Sequence, residues 1–124
     1  MFKGSEGVEE PDQPYTEGGK TKNKTNRETF YNKRAQYWWR LRDRFYNTYR
    51  AVERGEYVDP EEQISLSSNI SNLDQIRSEV CRIPLKRSNT GKIQIMSKIE
   101  MAKKPYQLPS PNMGDALMMA MYRP

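Results

Sequence analysis

The chain of 124 residues has no histidine and a single cysteine, Cys81. The first absence removes imidazole acid–base chemistry and histidine metal ligands. The second removes an intrachain disulfide and a thiolate zinc cluster, and Cys81 is expected as a buried thiol. Apolar residues make up 35% of the chain, against roughly 45–50% in an ordinary globular domain. A full core from these residues alone is therefore not expected. No run of about 18 apolar residues occurs, and no charged-then-apolar leader, so neither a membrane span nor a secretory signal is expected and the chain is read as intracellular. A glycine loop ending in Lys-Ser/Thr is also missing, which excludes a Walker-type ATPase phosphate cradle.

What is present is charge in blocks, within a formal net charge of +5. Residues 27–54 carry eight bases and three acids, 55–79 one base and six acids, and 80–109 seven bases and one acid. The alternation suggests basic faces suited to a polyanion, separated by an acidic connector.

Residues 1–26 scatter Gly, Pro, Glu and Lys without apolar periodicity and are expected as an irregular or disordered lead-in. Glu6, Glu9, Glu10 and Asp12 form a loose acidic cluster there, but hard-cation sites need ligands held on rigid elements or in a preorganised loop. Thr25-Asn-Arg-Glu28 has the pattern of a capping box and predicts one continuous helix over 27–54, stopped by Gly55. Tyr31, Ala35, Trp38, Leu41, Phe45, Tyr49 and Val52 share its apolar face, with Trp38 expected as the best-buried aromatic. Arg34 and Arg42 each stand four residues from Trp38. They could sandwich the indole, or one of them could reach a DNA phosphate or an active-site carboxylate.

After the connector, Leu73, Ile76 and Val80 predict a short helix near 72–82 capped by Ser71. Residues 83–97 alternate around Ser88-Asn-Thr-Gly91 and predict a two-stranded hairpin with Ile93 and Ile95 toward the core. Lys86, Arg87, Lys92, Lys98, Lys103 and Lys104 decorate the hairpin and its exit; they are either solvated charges or contacts to nucleic acid. The final pattern, Ser110-Pro-Asn-Met-Gly-Asp-Ala-Leu-Met-Met-Ala-Met121, predicts a helix with Ser110 as cap, Pro111 in the first turn, and Met113, Ala116, Leu117, Ala120 and Met121 on one face. Asp115 stands near the positive end of that helix dipole, where a carboxylate stays ionised. It is either an ordinary first-turn acid or a ligand for a divalent metal.

The string Ser110 to Ala120, with the preceding Gly91 to Lys104 and the Asn32-Lys-Arg-Ala35 segment, resembles the end of the ribonuclease H-like nuclease domain of tailed-phage terminase large subunits. The resemblance covers roughly residues 32–121. It implies an α/β fold: the C-terminal portion of that domain, with residues 27–124 as a partial nuclease-like unit of long helix, short helix, hairpin and terminal helix. It implies that Asp115 is the third metal-binding acid, for Mg²⁺ or Mn²⁺, and that the other two acids lie outside this sequence. It further implies cutting of concatemeric viral DNA during genome packaging in the host bacterial cytoplasm. The implied partners are double-stranded DNA, the remainder of the terminase large subunit, and the small terminase subunit and portal. Where the family commonly has an acid this chain has Asn112, and Gly114 is unusual inside a helix. Two-metal chemistry needs several acids, so the isolated chain is expected to be catalytically incomplete. The alternative reading is a small basic phage protein that binds nucleic acid or a partner without catalysis.

Overall fold

In a computed structural model, residues 2–17, 20–86 and 89–121 are described. Strands β1 (Pro14–Glu17) and β2 (Lys20–Thr25) pair antiparallel. Helix α1 (Asn26–Thr29) follows at once, then α2 (Lys33–Glu53), a 3₁₀ turn (Pro60–Glu62) and α3 (Leu73–Cys81). The chain continues with β3 (Leu85–Lys86), β4 (Gln94–Ile95), α4 (Lys98–Ala102) and α5 (Asn112–Ala120). No helix among the described residues is long and apolar enough to cross a membrane.

Within the lead-in expected to be irregular, residues 14–17 and 20–25 form paired strands. Its strands carry almost no apolar residues, so the hydrophobic pattern that marks a strand is missing, and backbone pairing and side-chain clamps replace it. The Glu9 N–H donates to Gln36 Oε1 at 2.8 Å, and Gln36 Nε2 returns a bond to the Glu9 carbonyl at 3.0 Å. Tyr15 is buried edge-on against Phe30 and donates its hydroxyl to Asp43 at 2.6 Å.

The helix expected over 27–54 is two helices. Thr25 and Glu28 form the capping box of α1 as read, but α1 ends after one turn because Phe30 leaves the helix for an isolated parallel bridge with Ile93. Asn32 then caps α2, its side-chain oxygen accepting the Ala35 N–H at 2.9 Å. The buried face of α2 is Ala35, Gln36, Tyr37, Trp38, Leu41, Asp43 and Asn47. Phe45, Tyr49 and Val52 are exposed, because that end of the helix is covered by the connector through polar groups. Arg44 and Asn47 donate to carbonyls of Glu61, Gln63 and Glu62, and Thr48 exchanges bonds with Ile64. Phe30 at 1% exposure, not Trp38 at 5%, is the best-buried aromatic among the described residues.

Tyr37, Trp38, Leu41, Ile64 and Met118 form the core, flanked by Phe2, Leu66, Val80, Ile83, Ile95, Leu117 and Met121. The hairpin expected over 83–97 is present, but β3 and β4 pair over only two residues each. Two further differences concern exposed positions: Cys81 is exposed rather than buried, and Asn72, without a side-chain bond, replaces Ser71 at the start of α3.

A carboxylate held between two cations

Helix α5 begins differently from its sequence pattern. Pro111, not Ser110, occupies the cap position, without a side-chain bond, and the Ser110 hydroxyl turns to Asn112. The buried residues are Gly114, Asp115 and Met118, while Ala116 and Ala120 face solvent. The helix is thus rotated from the expected face, and Asp115 points inward at 4% exposure. Apolar spacing misreads this helix because its inner face includes a carboxylate and a glycine.

Two cations meet that carboxylate. Arg34 Nη1 donates to Asp115 Oδ1 at 3.2 Å, and Lys98 Nζ lies 2.5 Å from Oδ2. Arg34 comes from the first turn of α2, where its backbone N–H donates to the Gly4 carbonyl at 2.9 Å. A Cβ on Gly4 would lie 2.9 Å from Arg34 Cβ, so only glycine lets the N-terminal segment approach this turn so closely. Lys98 opens α4, whose start is fixed by a second capping box: Ser97 accepts the Glu100 N–H while Glu100 accepts from Ser97. Of the two alternatives for Arg34, the reach to the carboxylate is realised, with its guanidinium also 5.9 Å from the Trp38 ring. Arg42 stacks instead on Trp39 and Tyr46.

Asp115, Arg34 and Lys98 share a cavity of about 390 Å³ with Phe2, Ser5, Asn32, Ser97 and Met119. Arg34 Nε and Nη2 are buried without hydrogen-bond partners among the described residues. The described residues contain no group of three or more Asp, Glu, Cys or His that could hold a metal. The residues present therefore fit one carboxylate of a metal site and not a whole one.

The other basic candidates are spread more widely. Lys86 on β3 pairs with Glu100 on α4 at 2.8 Å, which raises the lysine pKa and lowers that of the carboxyl. Lys92 is half-buried; Lys103 and Lys104, just past α4, are exposed. Arg87 lies outside the described residues.

Sequence reading missed Glu79. It is 1% exposed, and its Oε1 accepts the Met113 N–H at 3.0 Å, so α3 caps α5 from outside. The available signal was a carboxylate three residues beyond Ile76, on the apolar stripe of α3.

Residues 6–122 match the family described as the terminase RNase H-like domain. The nuclease domain of the large terminase subunit gp2 of bacterial virus Sf6 is similar with a TM-score of 0.90 and 42% identity, over 100% of this chain and 53% of that one. A lysine-to-alanine variant of that nuclease domain with manganese gives 0.89 at 42% identity, with the same coverage. A variant with calcium gives 0.88 at 42% identity, over 100% of this chain and 52% of that one. The chain thus spans about half the length of the solved domains it matches. No curated protein matches it. The α/β, RNase H-like fold implied by the resemblance is the fold of these matches, and the chain belongs to the family of terminase RNase H-like domains.

Proposed function

We propose that this chain is part of a terminase large-subunit nuclease that cuts concatemeric viral DNA during packaging in the host cytoplasm. The reading is carried by one observation: Asp115, buried at the head of α5, lies between Arg34 and Lys98 in a cavity. A carboxylate with no catalytic use would more cheaply face water at a helix start, where it still meets the dipole. The solved relatives with manganese and calcium support a divalent cation as the group it serves, with Mg²⁺ or Mn²⁺ as the proposed ion. When bound by enough carboxylates, such ions polarise a phosphodiester and activate water.

The chain's own residues supply position and charge. Arg34 holds Asp115 Oδ1 in place. Its unpartnered Nε and Nη2 are donors suited to a phosphate oxygen. Lys98 is half exposed, with 49% of its side chain accessible, so it is free to pass from Oδ2 to a DNA phosphate and leave that oxygen open. Lys103 and Lys104 follow on the same segment as further backbone contacts. Double-stranded DNA and the rest of the large subunit, which contributes the missing acids, are the required partners; the small subunit and portal complete the packaging machine.

The test joins the chain to the portion of the domain it does not span. The isolated chain is expected to show no cleavage above background, and the joined protein to cut plasmid DNA only with Mn²⁺ or Mg²⁺. Asp115→Asn should abolish cutting with DNA binding and thermal unfolding close to the parent. Cutting by Asp115→Asn at the parent rate would reduce Asp115 to a structural acid and defeat the assignment.

A further inference from the structure

We infer that Glu79 is a positioning residue that sets the first turn of α5, and through it the place of Asp115; this rests on the reading of Asp115 as the functional carboxylate. Four first-turn N–H groups of a helix lack intrahelical acceptors, and the cap residue of α5, Pro111, has no side-chain bond to offer them. Glu79 reaches across from α3 and accepts the Met113 N–H at 3.0 Å, two residues before Asp115. It is 1% exposed, and its second oxygen, Oε2, is buried without a partner among the described residues. A half-satisfied buried carboxylate is a costly way to cap a helix. A Ser or Asp at the cap could bond the same donor, but position 111 is itself fully buried and is filled by proline. What the buried arrangement adds is registry. Gly114 lies where a Cβ would be 2.9 Å from Trp38 Cη2 and 3.5 Å from Glu79 Cβ, so α5 is pressed against both neighbours at this turn. Glu79 fixes the turn along the helix axis and Gly114 fixes its depth, and Asp115 follows on the side that faces Arg34 and Lys98.

The experiment is amide hydrogen exchange and side-chain NMR on the chain itself, which requires no cleavage. Glu79→Ala removes the acceptor, and protection at Met113 should fall roughly tenfold, the order expected when a buried N–H loses its acceptor. Protection at Met118 and beyond should stay at the parental level. The guanidinium proton that Arg34 donates to Asp115 should lose its hydrogen-bonded signature in the same variant. Glu79→Gln keeps a carbonyl oxygen in place and should restore both signals. Unchanged protection at Met113 in Glu79→Ala would overturn the proposal, as would an equal loss in Gln and Ala variants. If Glu79→Ala does not fold, Glu79→Gln alone decides: retained Met113 protection and Arg34 signal support the role, and their loss in a folded protein overturns it. Because the readout is local order, its failure is separable from failure of the cleavage test on Asp115→Asn.

Discussion

A single missing side chain decides how close α5 comes to the core. Alanine at 114 would gain roughly 1 kcal/mol of helix propensity over glycine. Its Cβ, however, would stand 2.9 Å from the Trp38 ring, whose residue is 5% exposed, so the indole would have to shift. Overpacking of that kind costs about 1–3 kcal/mol, so the clash wins. Gly114→Ala should lower the thermal midpoint, and a raised midpoint would show that Trp38 moves freely. Asp115 was legible as a residue because Ser-Pro-x-x-Gly-Asp-Ala-Leu is a recognisable string. Glu79 was not. A glutamate in a short helix is ordinarily solvated, and only its phase relative to Ile76 marks it as inward. Arg34 was legible as an anomaly on an apolar face, but which of Trp38 and Asp115 it served depended on a contact 81 residues away.

At the scale of elements, local signals survived wherever the chain satisfies its own backbone. The Thr25–Glu28 capping box needs only four residues and forms as written. The continuous helix failed because Phe30 gains more from burial and from pairing with Ile93 than from another helical turn, and nothing within a local window reports a bridge partner 63 residues later. The short pairing of β3 with β4 gains a second tie from the contact between Lys86 and Glu100. The Lys86 side-chain bond, then the bonds from Ser97, lower the Glu100 pKa from 4.5, and Glu100 in turn raises that of Lys86 from 10.5. The depressed carboxyl contributes fully above its unfolded value and is lost as pH falls through the lower folded one; the raised lysine contributes below its unfolded value and is lost as pH rises through the higher folded one. The tie should therefore hold across neutral pH and open at both extremes, first seen as loss of amide protection at Ser97 and Glu100 in acid. Glu100→Gln should remove the acid limb of that profile at α4 while leaving α2 unchanged. An acid limb that persists in the variant would assign the effect to another carboxyl, with Glu28, also lowered by its Thr25 bonds, the next to examine.

At the scale of the molecule, the charge pattern should govern how the chain meets DNA. Between residues 80 and 109 there are seven bases and one acid, yet the structure divides them by occupation. Lys86 is engaged by Glu100 and Lys98 by Asp115, whereas Lys103 and Lys104 are exposed past the end of α4. If the surface tracks phosphates, binding to a duplex is driven by counterion release and is weak, sequence-tolerant and steeply salt-dependent. Charge reversal at Lys103 or Lys104 should weaken all duplexes alike and lower the salt slope by about one per lysine that contacts a phosphate. Reversal at Lys86 should do less to binding and more to local stability, since its ammonium is already paired. Lys98→Glu is a sharper probe: it places a second carboxylate beside a buried Asp115, and like charges at such range repel strongly in a poorly solvated site. That variant should lose both DNA affinity and the order of α4, where Lys103→Glu loses affinity alone. Fluorescence anisotropy across a salt series, read beside amide exchange, separates the two. Affinity indifferent to salt, or equal behaviour of Lys86→Glu and Lys103→Glu, would show that the basic segment is a solvated surface and that DNA is gripped elsewhere in the domain.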